Sequence, residues 1–580
     1  MTSGNADAAK ADALPKLGVR GAFWSGRLIV AFAVYIAGAL WFFRWQIFSG
    51  FDLLFGDRGD ARMVVFIHEH LYRWLQGHSG LLSPPFFFNQ TKTLGYSDGF
   101  LMDLIIYAPL RLIGTEPVLA LSLVVVILSP IAFVFVYVLL RRFDVSVFLA
   151  ALGALLFTFA NNLYLKSGHL QHFAVYYIPV VAYCGLAAVS ALHRRPLRAC
   201  LLGGFAAGLF GLLFSTGYYM AWFFGLALLI AAPIGALIAW PAVRACWRSG
   251  PRRVVALGVV AGASFLAALS IFAVIYAPVL ALGFRRGFGE YLIYAPNPVD
   301  IVNVGMQNLV WSAPIRALHL IPNDRLSFGE VSIALTPTLQ VLTWVSGILA
   351  LQPHFWPADD FGRIRRALVI SSAVVCLLFY VLTVATTHHA SLFRLLYAMV
   401  PGASAIRVGY RGMVVANLFA VTATALTFDR IIQALLREPR AMVQWAGLAT
   451  ATAVLALTAI EQVNLVRRAN LSRIFERQHL AAVSQAPPAC RTFYVAPQTG
   501  RTPYEVQIDA MMVALTRNLS TINGYSGFSP PGWDFYDTNA PGYRQRAILW
   551  AVKRGIGRGL CELDVEKGTW TLVDFYFEHQ

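Results

Sequence analysis

The chain has 580 residues, of which 58% are hydrophobic and only 13% are charged, and its mean hydropathy is +0.62. Soluble domains are about 45–50% apolar and about 25% charged, so a soluble protein of this composition could not cover its surface with polar groups. The same values exclude disordered, collagen-like and disulfide-rich secreted proteins. The sequence therefore predicts an integral membrane protein. Its formal net charge of +17 is expected to lie in the loops between spans, and we predict no nucleic-acid partner.

Eleven apolar segments are expected to cross the membrane, because a bilayer span needs about 20 mostly apolar residues. The first, at about 27–48, follows a polar leader, residues 1–26, that carries Lys10, Lys16 and Arg20. No small-residue cleavage site follows this segment, so we expect a retained signal anchor with a cytoplasmic N-terminus. The other segments lie at about 117–140, 145–163, 173–192, 197–215, 218–240, 254–281, 331–352, 367–386, 411–430 and 441–460.

The short loops on one side of these spans are rich in arginine. They are Arg141-Arg142, Arg194–Arg198, Arg244–Arg253, Arg363–Arg366 and Arg430–Arg440. Cytoplasmic loops collect Lys and Arg, so this side of the membrane is expected to be cytoplasmic. The odd number of spans then places the long loops 49–116 and 283–330 and the tail 461–580 outside the cytoplasm. The apolar segment 100–114 is short for a span and is expected to form an interfacial helix.

The polar tail 461–580 is predicted to be a small α/β domain that follows a transmembrane domain, residues 27–460. Strands are expected at 491–495, 519–522 and 569–577, and helices at 509–517 and 544–554. Of six cysteines in the chain, only Cys490 and Cys561 lie in this tail. We predict that they form a disulfide, because an external domain lies in an oxidising compartment. Two buried free thiols are the alternative.

The densest polar cluster in the sequence, Gly56 to Arg62, begins the first long loop. Asp57 or Asp60 is expected to be the N-cap of a helix that follows. These two carboxylates have two interpretations. They either cap the helix and pair with the neighbouring Arg58 and Arg62, or they act on a substrate.

The helix after this cluster is predicted at about 60–76 and is amphipathic. Glu69 and His70 lie on its polar face, so we expect it to lie along the membrane surface with these side chains available to a substrate.

Two later stretches of the same loop combine aromatic and polar residues. Asn89 follows Pro84-Pro85-Phe-Phe-Phe, and Ser97-Asp98 follow Gly-Tyr. Aromatic faces and amide or carboxylate edges suit pyranose rings, so these residues are candidates for a sugar-binding wall. The alternative is turn formation at the interface, with aromatic anchors in the head groups.

His169 and His172 lie in a shorter external loop, three residues apart. Two histidines are too few for a metal site, and no third ligand has an obvious spacing, so hydrogen bonding at the mouth of a cavity is expected. The same reasoning applies to His388-His389.

Four arginines are expected at the outer ends of spans: Arg285, Arg286, Arg407 and Arg411. This placement runs against the positive-inside bias, so each arginine needs a partner. A phosphate is one candidate, because a guanidinium binds it bidentately. Acidic lipid, or the carboxylates of Asp57, Asp60 and Glu290, are the other candidates.

The order of these features resembles the GT-C membrane glycosyltransferases, relatives of protein mannosyltransferases, dolichyl-phosphate-sugar glucosyltransferases and bacterial aminoarabinose transferases. The resemblance covers nearly the whole chain: an acidic pair after span one, a surface helix, many spans and an external C-terminal domain. The motifs that carry it indicate a bacterial branch of that class. They are Gly56-Asp57-x-x-Asp60 with Glu69-His70, Gly95-Tyr96-Ser97-Asp98, Gly168–His172, Pro401-Gly402 followed by Arg407 and Arg411, and Asn523–Trp533.

The resemblance implies a sugar donor linked to polyprenyl phosphate, a lipid or glycan acceptor, and a first-loop Asp as catalytic base. Membrane lipids are expected to surround the protein as further partners. Asp57 is preferred over Asp60 because it stands closest to the Gly-Asp start of the family pattern, although relatives often have Asp-Glu or Gly-Asp-x-Glu. A carboxylate can take the proton of an attacking hydroxyl, and arginines can stabilise the phosphate leaving group, with inversion at the anomeric carbon. No cofactor is implied; the two carboxylates could hold a divalent metal, which this chemistry does not require.

Two other classes of function fit the composition. One is a lipid or polysaccharide flippase or exporter, and the other is a non-catalytic protein of cell-envelope assembly. A transporter favours ionisable residues near mid-span and broken helices. The polar residues of this sequence concentrate at one face of the membrane instead, which favours chemistry on a lipid at the outer surface.

Overall fold

The computed structural model describes residues 27–386 and 390–573. Within these residues, nine helices are long and apolar enough to cross a membrane, and two shorter apolar helices, Leu28–Phe42 and Pro337–Leu351, complete the predicted eleven. The leader 1–26 and His388-His389 lie outside the described residues. The nine long helices are Pro117–Arg141, Val147–Leu165, Leu170–Ala191, Pro196–Leu213, Tyr218–Ile238, Pro251–Ala281, Asp360–Thr383, Gly409–Leu435 and Ala441–Ile460.

Proline marks where several of these helices begin. Pro117, Pro196, Pro251 and Pro337 are each the first residue of their helix. The first N–H groups of a helix have no partner within it, so a residue that lacks an N–H is well tolerated there, and its fixed φ already suits the helix. The sequence therefore sets these boundaries locally.

The helices differ in how deeply they lie within the protein. Val147–Leu165 and Gly409–Leu435 are mostly buried, whereas Pro251–Ala281 is mostly exposed along its length and packs chiefly on Pro196–Leu213. A Cβ at Gly211 would lie 2.7 Å from the Cβ of Ala268, so the small residue lets these two helices approach closely.

Short helices make up much of the chain between and after the spans. The segment predicted as an interfacial helix at 100–114 contains a 3₁₀ turn, Leu101–Asp103, and the helix Leu104–Leu112. The other short helices are Arg44–Phe48, Asp60–Leu75, Trp240–Ser249, Phe288–Tyr294, Ser312–Ala317, Asn323–Ser327, Phe393–Met399, Arg473–Ala482, Pro503–Thr516 and Tyr543–Lys553. Further 3₁₀ turns are Leu94–Tyr96, Leu170–Tyr177, Pro298–Val302, Ala403–Ala405 and Gly409–Arg411, of which the second and the last begin spans.

Within the described residues, six strands form two sheets. They are β1 (Leu53–Leu54), β2 (Leu471–Ser472), β3 (Thr492–Val495), β4 (Ser520–Thr521), β5 (Leu560–Asp564) and β6 (Thr569–Leu572). In the C-terminal region the order is β4-β3-β5-β6, with β3 parallel to β4 and β5, and β6 antiparallel to β5. All four residues of β3 are buried, as expected of a central strand.

The predicted α/β character of the tail is confirmed. The predicted strands 491–495 and 519–522 correspond to β3 and β4, and the two predicted helices correspond to Pro503–Thr516 and Tyr543–Lys553. Of the predicted strand 569–577, residues 569–572 form β6, and residues 574–577 lie outside the described residues. The sequence prediction did not include β5 or the helix Arg473–Ala482. The predicted disulfide between Cys490 and Cys561 is present and ties the start of β3 to β5.

The predicted surface helix is present as Asp60–Leu75, here called the first-loop helix, but its predicted environment is wrong. Residues 61–72 are buried, because the helix is covered by the spans on one side and by Pro503–Thr516 of the C-terminal domain on the other. Its predicted N-cap is also wrong, since Gly59 occupies that position without a side-chain cap.

Buried ion pairs hold the C-terminal domain on the first-loop helix. The guanidinium of Arg62 is fully buried and lies 2.8 Å from a carboxylate oxygen of Glu476 and 2.7 Å from one of Asp509. Arg58 contacts the same two carboxylates at 3.0 and 3.4 Å. Arg58 and Arg62 therefore do not pair with the neighbouring aspartates, and they anchor the domain instead. The antiparallel pairing of β1 with β2 adds a backbone link.

Candidate active site

A cavity of about 990 Å³ lies between the spans, the first external loop and the C-terminal domain. We call it the central cavity. It gathers eight of the polar residues predicted from sequence to form a site. These are Asp60, Ser97, Asp98, His172, Arg285, Arg286, Arg407 and Arg411. Three separate loops and the ends of several spans therefore converge on one space.

Asp60 is the first residue of the first-loop helix, and its carboxylate is held from two sides. One oxygen, Oδ2, lies 2.7 Å from Nδ1 of His169, and the other, Oδ1, accepts a hydrogen bond of 2.9 Å from the hydroxyl of Tyr525. Burial raises the pKa of Asp60, but His169, Tyr525 and the charge of Arg411 together outweigh burial, so the pKa lies below its ordinary value. An ionised carboxylate has about four lone-pair sites, so acceptor capacity remains for a substrate hydroxyl.

His169 connects Asp60 to a group of buried and half-buried ionisable residues that we call the charge cluster: Lys166, His169, Glu330 and Arg411. Its Nε2 lies 3.4 Å from Oε1 of Glu330, which also accepts from Arg411 at 2.8 Å. The other oxygen of Glu330 accepts from Lys166 at 2.8 Å and from Arg411 at 3.1 Å. The partner that Arg411 was expected to need is therefore Glu330.

Two carboxylates, Asp60 and Glu330, and two basic side chains, Lys166 and Arg411, surround His169. Burial lowers the pKa of Lys166 to about 8, although Glu330 opposes this change. Burial would raise the pKa of Glu330, but Arg411 and Lys166 hold it far below its ordinary value. Glu330 is therefore a permanent anion next to the site.

Three further arginines line the central cavity, away from the charge cluster. Arg286 and Arg407 both contact Glu290, and the contact of Arg407 spans 3.7 Å. Arg285 is exposed and forms no ion pair with any residue in 27–386 or 390–573. One acidic residue therefore stands against three guanidinium groups, and this part of the cavity carries a positive excess that suits an anion.

Ser97 and Asp98 contribute to the cavity wall through their own structural contacts. Asp98 accepts a hydrogen bond of 2.9 Å from the backbone N–H of Tyr218, where the helix Tyr218–Ile238 begins. The carbonyl of Ser97 accepts from the hydroxyl of Tyr276 at 2.9 Å. Burial raises the pKa of Asp98.

His172 is buried, and its Nδ1 lies 2.8 Å from the carbonyl oxygen of His169. His169 itself lies directly before the 3₁₀ turn that contains His172. In the part of the chain that the structure describes, no three His, Cys, Asp or Glu side chains form a group that could hold a metal.

Four predicted residues lie away from the central cavity. Asp57 is exposed and accepts a 2.8 Å hydrogen bond from the N–H of Gly59 within the turn before the helix. Glu69 pairs with Arg111 and accepts from Tyr107 at 2.6 Å, so it has a structural partner. His70 and Asn89 instead line a second cavity of about 320 Å³.

His70 has a structural environment as well. Its Nε2 lies 2.9 Å from the carbonyl oxygen of Leu81, and burial lowers its pKa to about 4. Its side chain is fully buried, as is that of Phe87 in the predicted sugar-binding wall, whereas Asn89 is exposed.

Sequence reasoning missed Glu330, Lys166 and Tyr525 as site residues. Glu330 is the last residue of the predicted external loop 283–330, directly before an apolar segment, and this position was the available signal. Tyr525 lies within the Asn523–Trp533 stretch that carried the family resemblance, but no local pattern indicated that it would meet Asp60.

The solved structure of ArnT from Cupriavidus metallidurans in the apo state is similar to this chain at 14% sequence identity and a TM-score of 0.36. The similarity covers 93% of this chain and 92% of that one. No family model and no curated protein matches the sequence. Function is therefore inferred from the chemistry of the central cavity.

Proposed function

We propose that the protein is a membrane glycosyltransferase of the GT-C class that moves a sugar from a polyprenyl-phosphate donor to a lipid or glycan acceptor. The observation that carries this proposal is the combination of groups on the central cavity. An ionised carboxylate, Asp60, and a surplus of guanidinium groups from Arg285, Arg286 and Arg407 line the same space. A reaction that removes a proton from a hydroxyl and releases a phosphate needs both kinds of group.

In the proposed reaction the acceptor hydroxyl oxygen attacks the anomeric carbon of the donor sugar. A new C–O bond forms as the bond between the anomeric carbon and the phosphate oxygen breaks. The hydroxyl proton passes to Asp60, and the electron pair leaves with the polyprenyl phosphate. Arg285, Arg286 and Arg407 stabilise this anion, which is already a good leaving group and needs no general acid. Direct displacement inverts the anomeric centre.

Asp60 is a better candidate for the base than Asp57, which the sequence analysis preferred because of its position in the family pattern. Asp60 lines the cavity, and Asp57 is exposed in the preceding turn. Asp60 is also oriented by hydrogen-bond partners on both oxygens, and a general base must stand within hydrogen-bond reach of its proton.

A lipid-linked donor is supported by one apolar wall of the cavity. Phe272, Tyr276, Val279 and Leu280 line the cavity and belong to Pro251–Ala281, which has the smallest buried share of the nine long helices among the described residues. A lipid chain could therefore lie against this helix while its phosphate meets the arginines. With the orientation predicted from the arginine-rich loops, transfer takes place at the outer face of the inner membrane.

The test is transfer by the purified protein in liposomes, with radiolabelled polyprenyl-phosphate hexoses and pentoses as donors and total membrane lipid as acceptor. We expect a labelled lipid or glycan product and a loss of about 10²–10⁴-fold in rate for Asp60→Asn, because loss of a general base has this effect. Asp57→Asn is the matched comparison and should retain most activity. Full activity in Asp60→Asn contradicts the assignment of the base. If the wild-type protein binds the donor or moves it across the bilayer without forming any product, a flippase is favoured instead.

A further inference from the structure

A segment of the C-terminal domain forms part of the central cavity. Residues 524–529, here called the roof segment, all line it, together with Tyr536. Gly527 lies so close to the first loop that a Cβ there would be 2.7 Å from the carbonyl oxygen of Tyr96. Glycine therefore permits a close approach that a larger residue would prevent.

The roof segment also contacts the positive part of the cavity. Phe528 stacks on Phe284 with ring centroids 4.9 Å apart, and the guanidinium of Arg286 lies 4.9 Å from the Phe528 ring. Arg286 donates a 3.3 Å hydrogen bond to the carbonyl of Gly527. One short segment therefore touches both the base and a phosphate-binding candidate.

The contact with the base is made by Tyr525. Its hydroxyl donates to Oδ1 of Asp60, while His169 from the membrane domain holds Oδ2. A carboxylate held through one oxygen can rotate about its bond, whereas contacts on both oxygens restrict that rotation. The C-terminal domain thus supplies one of the two contacts that orient Asp60.

We propose that Tyr525 is a positioning residue for Asp60, and that the C-terminal domain is for this reason an integral part of the active site. The catalytic consequence rests on the proposed function, but the effect on Asp60 does not. The titratable or charged groups that act on Asp60 include His169, Tyr525, Arg411 and Tyr536. Tyr525 stabilises the ionised form, so removal of its hydroxyl raises the pKa of Asp60.

The test compares Tyr525→Phe with Tyr504→Phe in the full-length protein. Tyr504 packs 6.1 Å from Tyr525, ring to ring, but does not line the cavity, so it controls for loss of a nearby hydroxyl. The first readout needs no substrate: the titration of the Asp60 carboxyl in infrared difference spectra against Asp60→Asn. We expect Tyr525→Phe to raise the midpoint by about one pH unit, because a hydrogen bond to a charged group is lost. Tyr504→Phe should leave it unchanged.

The second readout is transfer. Tyr525→Phe should lower kcat by about tenfold or more with donor KM unchanged, and the acid limb of the rate profile should move to higher pH. If Tyr525→Phe fails to fold, Gly527→Ala lifts the roof segment while keeping the hydroxyl, and the same midpoint shift is expected. An unchanged infrared midpoint overturns the proposal. Absence of turnover in the wild type overturns the proposed function and leaves the infrared result to decide the role of Tyr525.

Discussion

Arg411 donates to both oxygens of Glu330, with Nη2 2.8 Å from Oε1 and Nε 3.1 Å from Oε2. The two residues come from different parts of the chain: Glu330 ends the second long loop, and Arg411 precedes the buried helix Gly412–Leu435. Lys166 and His169, from a third loop, contact the same carboxylate. Glu330 therefore joins three segments directly behind Asp60.

Replacement of Glu330 should destabilise the protein strongly. Glu330→Gln leaves the buried cations Lys166 and Arg411 without a carboxylate, and removal of one partner of a buried ion pair typically costs about 3–5 kcal/mol. The pKa of Glu330 is depressed, so its contribution is present at neutral pH and is lost only as the pH falls through strongly acidic values. Thermal unfolding in detergent measures the loss. The control is Glu438→Gln, which breaks a surface pair with Arg440 and should change stability by less than about 1 kcal/mol. Equal losses of stability in Glu330→Gln and Glu438→Gln would contradict the expectation.

Replacement of His169 should change the pH dependence of transfer. His169 lowers the pKa of Asp60, so His169→Ala raises it and moves the acid limb of kcat/KM to higher pH, while Tyr525 and Arg411 keep the pKa from rising further. Activity requires the ionised carboxylate, so transfer at mildly acidic pH falls first. Rate profiles for His169→Ala and for His78→Ala, an exposed histidine, provide the comparison. An acid limb that stays in place in both variants argues against a role for the His169–Asp60 contact.

Replacement of Arg285 should weaken donor binding. Arg286 and Arg407 share Glu290, whereas Arg285 has no acidic partner in the part of the chain that the structure describes. Arg285→Gln should therefore reduce affinity for a polyprenyl phosphate by about tenfold or more, the effect of losing a hydrogen bond to a charged group. Binding of a labelled polyprenyl phosphate at two salt concentrations measures this. Arg252→Gln, at the opposite end of the span Pro251–Ala281, is the control, and equal affinity in both variants would exclude Arg285 from the phosphate site.

Loss of the disulfide should destabilise the C-terminal domain. Cys490 and Cys561 are separated by 71 residues, and a cross-link over a loop of this size contributes about 4 kcal/mol on the loop-entropy model. The double variant Cys490→Ser, Cys561→Ser should unfold at lower temperature, and reductant should do the same to the wild type. Cys246→Ser removes a free thiol and should have little effect. Alkylation of both tail thiols in the native, unreduced protein would refute the pairing in the cell.

The predicted orientation can be tested independently of activity. An odd number of spans with a cytoplasmic N-terminus places the C-terminus outside. A reporter that is active only outside the cytoplasm, fused after Gln580, should therefore be active. A reporter that works only in the cytoplasm, active at the same position, would invert the topology and place the central cavity at the inner face.

Much of the fold follows from the sequence because hydropathy and strand or helix preference are local. All eleven apolar segments are helical, the tail is α/β, and the cysteine pair is bonded. Each of these features depends on the composition of about twenty neighbouring residues, or on the compartment in which the tail lies. The polar residues that line the central cavity were also visible, because they cluster in loops at the ends of apolar segments.

The partners of those residues were not visible, because contacts between distant segments depend on how the helices pack. Asp57 and Asp60 are the same residue type in the same short cluster, so the sequence does not distinguish them. In the structure, Asp57 is exposed in a turn that begins with Gly56 at a positive φ, whereas Asp60 begins the helix and lines the cavity. The first-loop helix has the pattern of a surface helix, but docking of the C-terminal domain buries it and pairs Arg62 with Asp509. Ion pairing is short-ranged and specific in geometry, so only the folded chain selects Asp60 as the carboxylate that His169 and Tyr525 hold.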